Sequence, residues 1–296
     1  MSTDEDLATI AMINRAASLN LTFTGRAAQG TLGGAIFVDL DDGGRGVVTR
    51  FLGPLAHARQ TADVVNHARS CGLPVPRHHR VIAVGGDIFI VQERLPGEPP
   101  TMITPAVIDA LVEINDRFAH LLAHRSDVPT LPLCLDRSGD PFPRHEVLAE
   151  HSGRSRRILN AIKDIGRRHP GELAGDDLLH IDLDLSNILF SADGKITGVV
   201  DWNLGAYRGD RHLGLVKTRF EQEWALQGAA PDPVHIAAAR HLDDILSERV
   251  APVDLQRYWA HRLLYQLHWV LQCAPTDVVD WHLSVAEDRL FQRTPE

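Results

Sequence analysis

Between Leu178 and Trp202 the chain reads LLHIDLDLSNILFSADGKITGVVDW, and its polar residues are of the types that move protons and hold hard cations. His180, Asp182, Asp184, Ser186 and Asn187 follow a short apolar pair, Leu178 and Leu179, and precede Ile188, Leu189 and Phe190. Ser191 to Gly194 is a turn sequence, in which Gly194 can take a positive φ and Asp193 can bond its own backbone. The β-branched run from Ile196 to Val200 then forms the second strand of a hairpin and ends on Asp201. Such a hairpin returns Asp201 to the polar loop, so one candidate base, Asp182, and two candidate oxygen ligands, Asn187 and Asp201, share one end of the unit. Magnesium takes oxygen donors, commonly one or two protein carboxylates with phosphates and water completing the shell. Phosphoryl transfer needs that pair together with a separate carboxylate to orient the attacking hydroxyl. The plain alternative makes Asp182, Asp184 and Asn187 turn-capping residues. His180 reads as a structural histidine that bonds backbone near the loop, and Asp184 and Ser186 as loop formers.

The elements that must hold such a loop can be read on either side of it. At 296 residues the chain can form one large domain or two lobes with a sizeable core. A formal charge of -9 argues against a general nucleic-acid or anionic-membrane surface, since each needs a basic patch. Cys71, Cys134 and Cys273 are odd in number and far apart, which excludes a disulfide framework and offers no metal-ligand spacing. No apolar run approaches bilayer length, and the acidic N-terminus lacks the apolar core of a leader, so the cytoplasm is the expected location.

Asp4 to Leu19 reads as a packing helix, with Leu7, Ile10, Ala11 and Ile13 in helical spacing. Strand-like Leu21 to Thr24 leads through Gly25, Gly30, Gly33 and Gly34 to the alternating Ile36, Val38 and Leu40. Small residues at Gly30, Gly33 and Gly34 let backbone N–H groups approach phosphates, although the same sequence also makes an ordinary tight turn. Asp41 to Gly44 turns the chain into a third strand, Val47 to Phe51, carrying the cation Arg50 on one face. A helix from about Leu55 to Cys71 closes at Gly72. Val81 to Val84 and Ile88 to Val91 form another hairpin that leads to Gln92-Glu93-Arg94-Leu95-Pro96-Gly97. Thr104-Pro105 then opens a core helix, an irregular stretch runs from Ser126 to Pro143, and a basic, solvated helix is expected from about Arg144 to His169. After Trp202, helices are expected at about 213–227, 232–249, 253–273 and 276–292. Tyr258, Arg262, Tyr265 and Trp269 share one face of the third, which reads mainly as packing surface but could also stack on a sugar or heterocycle.

His180 to Asn187 spell H-x-D-x-x-x-x-N, and with a strand-terminal aspartate behind it this is the arrangement of the kinase catalytic loop and metal site. On that loop and on Asp201-Trp202 the chain resembles the aminoglycoside phosphotransferase family, the small-molecule antibiotic-kinase branch of the protein-kinase-like fold. The resemblance covers nearly the whole chain. It implies an α+β, two-lobed fold, with an antiparallel-sheet nucleotide-binding lobe over residues 1–97 and a mainly helical catalytic and acceptor-binding lobe over residues 98–296. Within it, Asp182 is the catalytic base, Asn187 and Asp201 hold Mg²⁺, and Arg50 takes the place of the strand lysine over the nucleotide phosphates. Glu93 and Leu95 lie in the implied hinge, whose backbone would hold the purine edge of ATP or GTP. The helix expected to pair with Arg50 lacks the usual glutamate and offers Asp63, or the neutral Gln60. Gly209-Asp210 matches the family, while Arg211 replaces a proline and Gly214 a second aspartate; Asp210 is expected to brace the catalytic loop by bonding backbone. The implied activity is transfer of the γ-phosphate of ATP or GTP, with Mg²⁺, to a hydroxyl of an antibiotic, whether an aminoglycoside, a nucleoside or another sugar-bearing compound. A metabolic kinase of a small alcohol, sugar or homoserine-like acceptor is one other reading, and a non-catalytic nucleotide-binding protein is another. Neither nucleic acid nor membrane is expected as a partner.

Overall fold

The computed structural model describes residues 3–27, 34–140, 142–169, 172–227 and 230–291. Helix α1 (Thr3–Ala17) precedes strands β1 (Thr22–Arg26), β2 (Ile36–Asp39) and β3 (Arg45–Phe51). Helix α2 (Leu55–Ser70) intervenes before β4 (His78–Val84) and β5 (Asp87–Glu93). The five strands form one antiparallel sheet in the order β1-β2-β3-β5-β4. Alternation along the strands gives the sheet two apolar faces. Val38, Val48, Phe89 and Val91 pack with Ile10 and Ile13 of α1. Phe51 and Ile90 pack with Ala58 of α2 on the other side.

The remaining helices are α3 (Pro105–Asp116), α4 (His145–His151), α5 (Gly153–Arg168), α6 (His212–Ala225), α7 (Pro233–Arg249), α8 (Pro252–Cys273) and α9 (Thr276–Phe291). Thr104 caps α3 by accepting the Val107 N–H at 3.2 Å, with a proline in the first turn. The single helix expected from Arg144 to His169 is instead two, because Ser152 adopts an extended backbone and starts α5 with a reciprocal cap to Ser155. Two short antiparallel pairs lie among these helices: β6 (Asp177–His180) with β9 (Ala206–Gly209), and β7 (Ile188–Phe190) with β8 (Ile196–Val199). The largest core is built from the helical part, and Val64, Val65 and Ala68 of α2 belong to it.

The linker after β5 is docked on the β7–β8 hairpin. Glu98 exchanges backbone hydrogen bonds with Phe190, its N–H donating at 3.1 Å and its carbonyl accepting at 2.9 Å, and the Thr197 hydroxyl donates to the Pro96 carbonyl. Gly97 has φ +107, and a β-carbon there would lie 2.7 Å from the Phe190 carbonyl oxygen. Only glycine fits that crossing. Among the described residues no helix is long and apolar enough to cross a membrane.

Candidate active site

β6 is buried along its whole length and delivers His180 to the loop with both ring nitrogens engaged. Nε2–H donates to the Val200 carbonyl at 2.9 Å, and Nδ1 accepts the Asp182 N–H at 3.2 Å. The ring packs on the Trp202 indole with centroids 4.2 Å apart, and Trp202 donates to the Val199 carbonyl at 3.0 Å. Burial pushes the imidazole pKa down, so His180 is neutral near pH 7 and its tautomer is set by these two bonds. The histidine ties the residue before Asp201 to the backbone of Asp182.

The loop closes on itself through two more polar side chains. Asp184 accepts the Ser186 N–H at 2.9 Å and so caps a 3-10 turn over Leu185–Asn187. The Asn187 side-chain amide donates to the Asp182 carbonyl at 2.9 Å, while its backbone carbonyl accepts the Val200 N–H at 2.9 Å. That side-chain bond uses the amide nitrogen and leaves Oδ1 as the end able to ligate a cation. Asp201 follows β8 with φ +63, a left-handed conformation that costs a non-glycine residue about 1 kcal/mol or more. Burial, and then the charge of Asp182, push its carboxyl pKa up to about 6, against the opposing pull of the Asn203 N–H and Lys217. The structure therefore brings Asp182, Asn187 and Asp201 to one end of the hairpin. Asn187 and Asp201 offer only hard oxygen donors, and Asp201 carries a charge its protein surroundings do not balance, so the pair fits Mg²⁺.

Lys217, which the sequence did not single out, completes the constellation. It is 6% exposed on α6, with Nζ 2.8 Å from Asp184, 2.7 Å from Glu221 and 3.4 Å from Asp182. Burial and Arg262 would lower its pKa, but Asp182, Asp184 and Glu221 outweigh them and the net direction is upward. A lone lysine in an apolar helix face carries no motif; the recognisable sign would have been its position just after Gly214. A β-carbon on Gly214 would lie 2.9 Å from the His180 carbonyl oxygen and 3.1 Å from Leu183 Cβ. The absent side chain lets α6 approach the loop, and the Thr218 hydroxyl donates to the Leu183 carbonyl.

Other expectations fall differently. Arg50 lies opposite Phe89 in the β3–β5 register and shares its face, the one covered by α1. Its side chain is 54% exposed and its guanidinium pairs with Asp87 at 2.5 Å, so the fold does not bring it to the loop. On the α2 side the strand presents Thr49, a buried residue whose hydroxyl has no partner among the described residues. Strand alternation decides this: one residue along β3 reverses the face. Asp63 pairs with Arg125 at 2.8 Å, and Gln60 donates to the Asp127 carbonyl; neither meets Arg50. Asp210 accepts from the His212 N–H at 2.9 Å and the Tyr258 hydroxyl at 2.7 Å. It braces the start of α6 and α8 rather than the catalytic loop.

In the hinge, the Glu93 carboxylate pairs with Arg69 at 2.9 Å, and its N–H donates to the Arg77 carbonyl at 2.8 Å. The Leu95 and Leu189 side chains both border Gly198, each 3.0 Å from where its β-carbon would be, which puts the hinge beside the hairpin. Gly34 has φ +66 and faces the Arg26 guanidinium; Gly30 and Gly33 lie outside the described residues. Beside Lys217 a recess is lined by Ile181, Leu204, Leu213, His261, Arg262 and Tyr265. Phe142 borders Tyr265 edge-on at 5.6 Å and Trp269 at 5.3 Å. Tyr258 and Arg262 are buried, so the shared face on α8 is part core and part recess wall.

Comparison with known proteins identifies the family and the fold. A family model, the Phosphotransferase enzyme family, matches residues 26–213. Among solved structures, a thermostable mutant of aminoglycoside phosphotransferase APH(4)-Ia in its apo form superposes with TM-score 0.70. The two are 19% identical, over 95% of this chain and 97% of that one. Amicoumacin kinase hAmiN, in complex with AMP-PNP, Ca²⁺ and Ami, gives TM-score 0.63 at 12% identity, covering 98% and 94%. Choline kinase LicA from Streptococcus pneumoniae gives 0.60 at 14%, covering 98% and 99%. No curated protein matches the chain in sequence. With the family model spanning β2 to β5, the linker and the catalytic loop, the chain belongs to the phosphotransferase enzyme family and carries its kinase-like fold.

Proposed function

We propose that the protein is a small-molecule kinase that moves the γ-phosphate of ATP or GTP to an acceptor hydroxyl, with an antibiotic as acceptor and resistance as the outcome. The observation that carries this reading is the convergence of Asp182, Asn187 and Asp201, tied through His180 and Val200. The nucleotide is assigned to the cleft between residues 1–97 and 98–296, its purine against the hinge backbone at Glu93 and Leu95, and the enzyme to the cytoplasm, where nucleoside triphosphates are available. Asn187 and Asp201 would hold Mg²⁺, which when bound neutralises charge on the transferring phosphates.

The chain's own residues do the positioning. Asp182 accepts the acceptor's hydroxyl proton or orients it for attack on the γ-phosphorus. Lys217 fixes the loop by binding Asp184 while facing Asp182, and His180 prevents the Asp182 backbone from drifting. The recess beside Lys217 is itself only about 10 Å³, so an acceptor would lie over it rather than in it, and the Tyr265, Phe142 and Trp269 rings grouped there favour one with a ring to stack, such as a sugar or nucleoside. Solved structures of this fold in complex with hygromycin B, and of an amicoumacin kinase in complex with Ami, support an antibiotic. The likeness to a choline kinase supports the second reading, a metabolic kinase of a small alcohol.

The test is phosphate transfer with Mg²⁺ and ATP or GTP against a mixed panel of antibiotics and small alcohols, read by mass. One product heavier by a phosphoryl group is expected. Asp182→Ala should lower its formation by about a thousandfold or more with nucleotide affinity retained. Activity confined to choline-like or sugar metabolites would replace the resistance reading. Nucleotide binding with no product across the panel would leave a binding protein, a role with which the absence of a cation at Thr49 is consistent.

A further inference from the structure

At the hinge end of the sheet, a cavity of about 300 Å³ is lined by Arg45, Arg69, Arg77 and Arg94, with His79, Leu40, Gly44, Asp42 and Glu93 completing it. It is separate from the catalytic loop. Leu40 packs with the cluster on the α1 side of the sheet, and no residue of the loop or of the β7–β8 hairpin lines it. Four arginines line it in a protein of net charge -9.

The two carboxylates do not balance them. Glu93 is engaged by Arg69 and by the Arg77 N–H, and Asp42 accepts the Gly44 N–H of its own turn at 2.9 Å. The Arg94 guanidinium is turned onto the Phe37 ring at 3.7 Å, outside the cavity lining, whereas Arg45 and Arg77 line the cavity with no carboxylate partner among the described residues. Burial, then Arg77, lowers the pKa of His79, which agrees with local positive charge. Guanidinium forks match phosphate oxygens bidentately.

We propose that this pocket is a second binding site, for a small molecule bearing a phosphate group. The concavity fits a compact ligand of phosphosugar size, whereas a phosphorylated peptide would need an extended groove. Because Glu93 and Arg94 open the hinge, a ligand held there touches the strand end that presents the purine-binding backbone, and its occupancy is expected to change the KM for the nucleotide.

The test titrates ribose 5-phosphate into the full chain by calorimetry in 0.15 M salt, where the Debye length is about 8 Å, with the nucleotide cleft saturated by AMP-PNP. Saturable binding at one site is expected. Arg45→Gln/Arg77→Gln, both at exposed positions, should weaken it roughly tenfold or more while melting temperature and turnover without the phosphosugar stay unchanged. Absence of saturable binding, or binding unaltered in the double variant, would overturn the proposal. So would tighter binding of a phosphoserine peptide than of ribose 5-phosphate.

Discussion

Lys217 is one of three lysines in the sequence, the others being Lys163 and Lys195; arginine supplies the remaining cations. A compact ammonium suits a buried position among three carboxylates, where a planar guanidinium would not fit without moving them. Replacing it leaves Asp184 without its cation beside Asp182, while Glu221 keeps Arg262 at 3.0 Å. Lys217→Met is therefore expected to cost about 3–5 kcal/mol of stability and to lower kcat about 10–100-fold through misplacement of Asp182. Urea unfolding and steady-state kinetics check the two numbers, and Lys217→Arg should not restore kcat. At this scale the sequence was legible wherever residues act through local spacing. Asp182, Asn187 and Asp201 follow from one hairpin and His180 from its neighbours. Lys217 reaches the loop from 33 residues further on, and no local pattern announces it. Arg50 failed for the opposite reason: its strand was legible, but the face it points to depends on which helix covers which side.

The elements around the loop are held by close backbone approaches that only glycine permits. Gly214 is the sharpest case for a test, because two effects there have opposite signs. Alanine is favoured over glycine inside a helix by about 1 kcal/mol. A β-carbon 2.9 Å from the His180 carbonyl oxygen, however, demands a shift of α6, and overpacking of this kind costs about 1–3 kcal/mol. Gly214→Ala is expected to be destabilising on balance and to reduce turnover, since α6 carries Lys217 and Thr218; a gain in urea stability with full activity would contradict the close packing. The extents of α1, α3, α8 and α9 were readable directly, although of the four residues spaced along α1 only Ile10 and Ile13 are buried, while Leu7 and Ala11 face solvent. The break between α4 and α5 was not, because Ser152-Gly153 sits inside an otherwise helical pattern and only the Ser152–Ser155 cap reveals it. β9 was missed because its residues, Ala206 to Gly209, become a strand only by pairing with β6.

Across the whole molecule, buried histidines set the response to acid. His78 and His261 are pushed down to about 4, by burial above all, and burial also lowers His180. The folded pKa lies below the unfolded value near 6.5, so the stability these groups contribute is present above pH 6.5 and is lost as pH falls towards 4. Each contributes up to about 1.4 kcal/mol per pH unit in that window. Against a total of roughly 5–15 kcal/mol, unfolding free energy should drop by several kcal/mol between pH 7 and 4.5. His261→Gln, which keeps a donor for the Leu133 carbonyl, should flatten that slope. The two-layered plan of sheet and helices was readable from the order of strands and helices, whereas the path of the core between them was not. Val64, Val65 and Ala68 of α2 sit in the core of the helical part, although α2 lies in the chain between β3 and β4. A cut at Gly97 would therefore divide the main core itself. The fragment 98–296 would expose a groove where α2 belongs, and the fragment 1–97 would carry a helix with its apolar side bare. Each piece is a template for the other, so the enzyme is better suited to reassembly from paired fragments than to independent folding of its lobes.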